Sequence, residues 1–265
     1  MIFDIITIFP DFFSSILAHG ILKRAVESSR ISVHVHDLRN FTDDFHRSVD
    51  DRPFGGGPGM VFKPEPIFRA VEAIQAKRPA ERLRVILLTP QGRLLNQRIV
   101  QELSREPRLV FICGRYEGVD ERVATHLATD EISIGDYILS GGELAAAVLM
   151  EAATRLLPGV LGNEESKEAE SFTISGAALN STGDVGLLGF PQYTRPADFR
   201  GLKVPEILLS GNHQQIREWR KQQALLKTCR KRPDLLKKAG LDLETLRREL
   251  KKVAVEEAIE ILSDL

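Results

Sequence analysis

The chain has 265 residues, enough to bury a sizeable core in one large domain or in two smaller ones. Its 36 Lys and Arg residues nearly balance 37 Asp and Glu residues, and the net charge of −1 excludes a globally basic protein, so a polyanion must meet a local basic patch. The longest apolar run is too short to span a bilayer and no signal peptide is evident, so we expect no membrane association.

Cysteine usage indicates a reducing compartment. Cys113 and Cys229 offer neither a disulfide framework nor a CxxC metal motif. Because disulfides persist mainly in oxidising compartments, this usage suits the cytosol, and we expect a cytoplasmic protein. Cys113 ends an apolar run and is interpreted as a small core residue.

Apolar runs alternate with helical patterns through the first part of the chain. The predicted strands are Ile2–Phe9, Ile31–Val35, Val85–Leu88, Leu109–Cys113 and 131–139. The predicted helices run from Pro10 through Leu22 and over Glu65–Ala76, Leu94–Ser104 and Val119–Leu127. Strands that are apolar on both faces and alternate with helices predict an α/β fold with a parallel sheet. Residues 41–60 lack any period and form a long loop, which is either functional or disordered.

Three loops follow predicted parallel strands and indicate a ligand site. They are Leu88–Gly92, Gly114–Gly118 and Ile134–Gly142, and open α/β sheets bind ligands at this edge. None carries a GxGxxG or GxxxxGK[ST] phosphate motif. A ligand held by backbone groups without phosphate recognition fits the adenosine of S-adenosylmethionine.

A helix follows the third loop and ends before Pro158. Ser140 is the predicted cap, Glu143 lies in the first turn, and Arg155 lies in the last turn, where a cation suits the helix dipole.

The character of the chain changes after Gly162. We predict an α/β domain over 1–162, a flexible linker over 163–186, and a helical C-terminal domain over 187–265. Residues 217–238 hold nine Lys and Arg residues against two acidic residues, with Trp219 between two arginines. Such a segment suits an RNA backbone and an unstacked base, although a basic helix is often only a solvated face. His46 in the long loop is equally explained as a loop histidine with a satisfied hydrogen bond.

From residue 50 to residue 220 the chain carries, in order, the motifs DDRPFGGGPGM, TPQGR, CGRYEGVDER, SIGDYILSGGEL, RLLPGVLG, PQYTRP and LSGNHQQIREWR. This series closely resembles the bacterial tRNA (guanine-N1)-methyltransferases of the SPOUT class, the TrmD family. The resemblance covers nearly the whole chain. It implies an α/β SPOUT domain tied in a deep trefoil knot, followed by a small all-helical C-terminal domain. Such a knot is an exception to the rule that protein chains are not knotted.

The resemblance also implies an activity and its partners. These are methyl transfer from S-adenosylmethionine to N1 of the guanine immediately 3′ of the anticodon (position 37), tRNA as substrate, and a homodimer with active sites at the subunit interface. Magnesium is a further expectation of the family, although no cluster in the sequence identifies a metal site.

Family residues carry over position by position. Arg155 matches the catalytic arginine, and Glu170 stands where the family has its general base. The implied donor-binding residues are Leu88, Thr89, Pro90, Gly114, Tyr116, Glu117, Ile134, Gly135, Asp136, Tyr137, Ile138, Leu139, Gly141 and Gly142. The implied tRNA-binding residues are His46, Arg47, Asp50, Arg52, Gly59, His213, Arg217, Trp219 and Arg220.

The sequence departs from the family pattern at several places. The family's general base is an aspartate, whereas this chain has Glu170, and residues 173–186 are longer than usual, which makes Asp184 a rival base. Gly189 stands close to the place of a further family aspartate, Gln192 replaces a histidine, and Ala145 replaces a proline after GGEL, a change that we expect to be mild. Two alternatives stay open: a knotted methyltransferase acting on another RNA site, and a non-catalytic tRNA-binding relative.

Overall fold

The computed structural model describes residues 1–80, 82–162, 170–172 and 186–238. The chain divides into two compact units, Met1–Gly162 and Asn163–Leu265. Most of the predicted linker, including Asp184, lies outside the described residues, as does the predicted C-terminal domain beyond Lys238.

The first unit is built on a five-stranded parallel sheet whose strands, in spatial order, are β2 (Ser32–Asp37), β1 (Ile2–Thr7), β6 (Arg108–Cys113), β5 (Arg84–Leu94) and β7 (Asp130–Ser133). This confirms the predicted α/β class. A separate short antiparallel pair is formed by β3 (Asp50–Asp51) and β4 (Val61–Phe62), which lie between β2 and β5 in the chain. The helices are α1 (Phe12–Leu17), α2 (Gly20–Glu27), α3 (Pro64–Ala76), α4 (Gln97–Leu103), α5 (Glu121–His126) and α6 (Glu143–Thr154).

Both faces of the sheet are covered, which explains why its strands are apolar throughout. Along β6, Leu109, Phe111 and Cys113 point to a core shared with α1, α2, α4 and α6. The alternate residues Val110 and Ile112 point to a second core, shared with α3 and α5. Because successive strand residues face opposite sides, a strand covered on both sides needs an unbroken apolar run. The prediction that Cys113 is a core residue is confirmed.

Several predicted element boundaries are wrong. The helix expected from Pro10 through Leu22 is two helices, because α1 ends at Leu17 and Gly20, where α2 begins, adopts a left-handed φ of 62°. The strand expected over 131–139 ends at Ser133, since the chain turns at Gly135 and leaves the next apolar residues exposed. The loop 41–60 is partly ordered by the β3–β4 pair, in which Asp50 lies opposite Phe62.

Strand β5 is much longer than predicted because it folds around β7. Ile132 pairs first with Leu88 and again with Arg93, and the register shifts between these two positions. Gly92 lies at the bend, where a Cβ atom would come within 2.3 Å of the Glu131 carbonyl carbon. Ion pairs hold this arrangement: Arg93 contacts Asp130 at 2.6 Å and Glu102 at 3.0 Å.

The second unit contains two helices in its described part, α7 (His213–Lys231) and α8 (Pro233–Lys238). It also contains an antiparallel hairpin, β8 (Asp198–Phe199) and β9 (Leu202–Lys203). The prediction of an all-helical C-terminal domain is therefore wrong in this detail. The hairpin forms because Arg200 and Gly201 both adopt positive φ, at 57° and 84°, as the tightest β-turns require.

In the described residues, no helix is both long enough and apolar enough to cross a bilayer.

A buried charge network joins the neighbouring strands β2, β1 and β6. The Asp4 carboxylate is 1% exposed and accepts hydrogen bonds from His36 Nε2 and Arg108 Nε, each at 2.7 Å. Burial raises the pKa of Asp4, but the hydrogen bonds from His36 and Arg108 outweigh it and hold that pKa below its ordinary value. The ionised carboxylate therefore stabilises the folded chain.

Replacing Asp4 with asparagine should lower the free energy of unfolding by about 3 kcal/mol at neutral pH, because Arg108 loses its charged partner. A depressed carboxyl pKa contributes stability above the unfolded value of about 4, and this is lost as pH falls through the folded pKa. The difference between wild type and Asp4→Asn should therefore shrink below about pH 4. Urea unfolding at pH 7 and from pH 5 to pH 3 measures both effects, and a difference independent of pH would contradict the assignment.

Candidate active site

The three predicted loops meet in one cleft, where β5 bends and where β6 and β7 end; the first of them, Leu88–Gly92, is the bend within β5 and not a loop that leaves it. This three-loop cleft has a volume of about 1460 Å³ and also takes in residues from the 41–60 loop. Thirteen of the fourteen predicted donor-binding residues line it, and the exception is Asp136. Those that line it are Leu88, Thr89, Pro90, Gly114, Tyr116, Glu117, Ile134, Gly135, Tyr137, Ile138, Leu139, Gly141 and Gly142.

Backbone contacts join the second loop directly to the third. Gly142 N donates to Gly114 O at 3.0 Å, and Arg115 and Gly141 form an isolated antiparallel bridge. A Cβ atom on Gly142 would lie 2.8 Å from the Cys113 Cα, so only glycine permits this approach. The second and third loops are thus held together as one wall of the cleft.

The first turn of α6 contributes a buried carboxylate to this wall. Glu143 is 1% exposed, and its Oε1 accepts a hydrogen bond of 2.7 Å from Thr7 Oγ1. Arg115 contacts the same carboxylate, with Nε 3.2 Å from both oxygens and Nη2 3.1 Å from Oε2. Sequence reasoning placed Glu143 only in a helix's first turn and passed over Arg115. An acidic residue heading the apolar run LAAAVLM was the one signal that it is buried.

The helix starts differently from the sequence prediction. Gly142, not Ser140, occupies the N-cap position of α6, and no side chain caps it. The prediction of a Ser140 cap is wrong because the glycine turn leaves Ser140 two residues before the N-cap position, with its side chain exposed. Ser140 instead lines the cleft.

The third loop turns sharply on leaving the sheet. Ser133 Oγ donates to Gly135 O at 3.1 Å, and Tyr137 N donates to the same oxygen at 2.9 Å. A Cβ atom on Gly135 would lie 2.2 Å from the Tyr137 ring. The turn leaves Ile138 81% exposed at the cleft.

The end of the 41–60 loop is hydrogen-bonded to the second loop of the cleft. Glu117 N donates to Met60 O at 3.1 Å, and Phe62 N donates to Gly118 O at 3.0 Å. Gly59 lies so close that a Cβ atom there would come within 2.5 Å of the Glu117 carboxylate. This contact brings Gly59, a predicted tRNA-binding residue, against Glu117, a predicted donor-binding residue.

The other predicted tRNA-binding residues of the loop differ in their surroundings. Arg52 lines the cleft. Arg47 donates to Arg39 O at 3.2 Å and to Asn40 Oδ1, so it helps to close the loop. The exposed His46 packs edge-on against Phe45, with ring centroids 5.5 Å apart, and Asp50 lies in β3.

The predicted tRNA-binding residues of the second unit share the start of α7. His213, Arg217 and Arg220 are exposed, and their spacing of four and three residues places them on one helical face. Trp219 is half-buried, with its ring 6.5 Å from that of Tyr193, and Arg220 lies over the Phe190 ring at 4.8 Å. The face therefore presents cations beside aromatic rings.

The two predicted catalytic residues belong to different units. Arg155 follows the last turn of α6, whose 12 residues extend about 18 Å from the Gly141–Gly142 turn. Glu170 directly precedes Ser171, whose Oγ accepts a hydrogen bond of 2.9 Å from Gly189 N. Phe172 N also donates to Leu187 O at 2.8 Å. The ends of the 173–186 insertion are thus held together, so its length need not displace Glu170.

In the described part of the chain, no group of three or more His, Cys, Asp or Glu side chains comes together as metal ligands.

Known proteins of similar sequence identify the family of this chain. The family model described as tRNA (Guanine-1)-methyltransferase TrmD matches residues 1–238. Relatives named tRNA (guanine-N(1)-)-methyltransferase include one from Listeria monocytogenes EGD-e, 52% identical over 88% of this chain and 91% of the relative. Another from Koribacter versatilis is 53% identical over 91% and 94%, and one from Moorella thermoacetica is 53% identical over 95% and 96%. With the family model covering most of its length, this chain belongs to the tRNA (guanine-1)-methyltransferase family.

Proposed function

We propose that this protein transfers a methyl group from S-adenosylmethionine to N1 of the guanine at position 37 of tRNA. The observation that carries the proposal is the three-loop cleft, in which the family's donor-binding positions come together at the carboxyl edge of a parallel sheet. Membership of the family supplies the reaction class. We expect the protein to act in the cytoplasm.

The cleft fits a donor of this kind. Ile138 and Leu139 offer exposed apolar surface for a flat base, and the glycine turns offer backbone groups at close range. Three arginines of the lining are already in ion pairs: Arg69 with Asp43, Arg115 with Glu143 and Arg122 with Asp120. Compensated cations suit a donor that carries no phosphate. When bound, the donor supplies an electrophilic methyl group on a positively charged sulfonium.

The path of β5 supports the proposal of a trefoil knot in the first unit. Because Ile132 pairs with β5 on both sides of the Gly92 bend, the chain entering the third loop is wrapped by an earlier segment. The Arg93 ion pairs with Asp130 and Glu102 hold that wrap closed. We propose that the knot fixes the loop walls before the donor binds.

The position of Arg155 supports a homodimer with shared sites. The arginine lies about 18 Å along α6 from the glycine turn of its own cleft, too far for its guanidinium to act there. The outer face of α6 carries the exposed residues Leu144 and Val148, at 51% and 47%. We propose that a second copy packs on this face and brings its Arg155 to the cleft.

The chemistry assigns separate roles to the two catalytic residues. Guanine N1 carries a proton at neutral pH and is a poor nucleophile until a carboxylate removes that proton, which is the role proposed for Glu170. Negative charge then spreads onto O6, where the Arg155 guanidinium stabilises it. The target base must be unstacked, and a single-stranded anticodon loop permits this at low energetic cost.

Two surfaces are proposed to hold the tRNA. The 41–60 loop offers Arg52 at the mouth of the cleft, next to the bound target. The start of α7 offers His213, Arg217, Trp219 and Arg220, which combine phosphate-binding charge with an aromatic ring.

The decisive experiment is a labelled-methyl assay on tRNA, followed by identification of the modified nucleoside. The proposal predicts N1-methylguanine from tRNA with guanine at position 37 and no product when that guanine is replaced by adenine. A different methylated nucleoside would indicate a knotted methyltransferase acting on another RNA site. Binding of tRNA with no transfer under donor excess would indicate a non-catalytic relative.

Shared sites predict that two inactive variants complement each other. Arg155→Ala removes the charge-stabilising group and Gly141→Val disrupts the cleft, so each homodimer should be inactive. In a mixed dimer, one site combines an intact cleft with an intact Arg155, so random subunit exchange should restore about a quarter of wild-type activity. Mass spectrometry of intact dimers verifies that the subunits have exchanged. If activity does not recover after verified exchange, sites shared in this way are excluded.

A further inference from the structure

The Glu143 carboxylate has no role in the proposed reaction, yet contacts from Thr7 and Arg115 hold it beside the cleft. It lies at the start of α6 with 1% of its surface exposed. Thr7 Oγ1 donates to it at 2.7 Å and in turn accepts from Phe9 N at 3.0 Å. The Arg115 guanidinium binds both of its oxygens and stacks on the Phe9 ring at 4.3 Å. A buried carboxylate requires such partners, because it is costly to desolvate without them.

The contacts of Arg115 connect this carboxylate to the walls of the cleft. Arg115 lies between Gly114 and Tyr116, and its backbone bridges to Gly141. A Cβ atom on Gly141 would lie 2.5 Å from Glu143 Oε2 and 2.6 Å from Arg115 Nε. The ion pair therefore occupies the space that a side chain at Gly141 would need. Loss of the pair would free both the second loop and the glycine turn of the third.

We infer that Glu143 is a positioning residue, which fixes Arg115 and through it holds the second and third loops at the spacing that the methyl donor requires. This inference rests on the proposed function, since it takes S-adenosylmethionine as the occupant of the cleft. Glu143 touches neither donor nor tRNA in this role. Its effect should therefore appear in donor affinity and not in the intrinsic rate of methyl transfer.

The chain offers a matched control for the burial of a charge. Asp4 is also 1% exposed, is also bound by an arginine and a second polar side chain, and lies in the same unit at the opposite end of β1. Asp4→Asn and Glu143→Gln both remove one buried negative charge with little change of shape. A merely structural role for Glu143 predicts that the two variants behave alike at the cleft.

The test compares donor binding in the full-length variants by calorimetry, with S-adenosylmethionine and S-adenosylhomocysteine as probes, at a temperature where thermal melts show each variant folded. Glu143→Gln should raise the Kd for both probes about tenfold or more, as expected for the loss of a charge-assisted contact. Asp4→Asn should leave both values at the wild-type level. If the wild type binds neither probe, the proposed function fails, whereas equal Kd values in wild type and Glu143→Gln overturn this inference alone.

A double-mutant cycle tests whether Glu143 acts through Arg115. Arg115→Gln should by itself weaken donor binding to a similar extent, and it keeps the inference testable if Glu143→Gln does not fold. Adding Glu143→Gln to Arg115→Gln should then cause no further loss, because the pair is already broken. Additive losses in the double variant would show that Glu143 does not work through Arg115 and would overturn the inference.

With saturating donor, the single-turnover rate of Glu143→Gln should stay within a factor of about two to three of wild type, and a loss on the order of a hundredfold or more would make it a catalytic residue instead.

Discussion

Replacing Glu170 with glutamine is expected to lower the single-turnover rate of tRNA methylation roughly 10²–10⁴-fold, the usual contribution of a general base. Glutamine keeps the shape of the side chain but cannot remove the proton from guanine N1. Donor and tRNA affinities should stay close to wild type, because the proposed role of Glu170 lies in the proton transfer. Rapid-quench kinetics with saturating donor and tRNA would separate the chemical step from binding.

The local structure supports Glu170 over a base within the insertion. The chain just after Glu170 is held by Ser171 and Phe172 against the segment that follows the insertion, through hydrogen bonds to Gly189 and Leu187. A carboxylate next to such an anchor loses little conformational freedom on reaching its target. The extra methylene of glutamate, relative to the family's aspartate, must be absorbed by the preceding residues.

Two further variants make this assignment testable. Glu168→Gln, two residues earlier in the same acidic segment, is the matched control and should keep the wild-type rate. Asp184→Asn should also keep it. A wild-type rate in Glu170→Gln together with loss of activity in Asp184→Asn would move the general base into the insertion.

Local signals in the sequence carried much of the fold prediction. Continuous apolar runs such as Leu109–Cys113 predict buried parallel strands because both faces of the sheet are covered. Glycine turns at strand ends predict where the loops meet, and the three-loop cleft contains nearly all the residues expected there. Periodicity and turn chemistry are readable within a short window, so these features needed no knowledge of distant contacts.

Features set by distant contacts were missed. The second half of β5 is a strand because Arg93 and Leu94 pair with β7 after the bend. The sequence of residues 84–94 alone does not indicate that pairing. The apolar residues after Ser133 suggest a continuing strand, whereas the turn at Gly135 leaves them exposed at the cleft. Glu143 binds a threonine 136 positions away, so its burial was invisible to local reasoning.

Replacing Gly141 with valine is expected to abolish measurable donor binding while the first unit stays folded. The sequence predicts a ligand held by backbone groups in these loops, which alone favours a glycine here. The structure gives a nearer cause: a Cβ atom at this position would lie 2.5 Å from Glu143 Oε2 and 2.8 Å from Arg115 Cγ. Real Cβ atoms do not tolerate such distances, so the ion pair must separate or the bridge between Arg115 and Gly141 must open. Either change moves the wall of the cleft.

Calorimetric titration with S-adenosylhomocysteine measures this effect without turnover, and circular dichroism checks the fold. Gly162→Val is the matched control, because a Cβ atom there meets no atom of the described residues within 4 Å, and it should bind like wild type. Gly141→Ala tests the mechanism further: its single methyl group makes the same collision with the ion pair, so it should weaken binding nearly as much as valine. Wild-type affinity in Gly141→Val would mean that the donor is not held by the second and third loops.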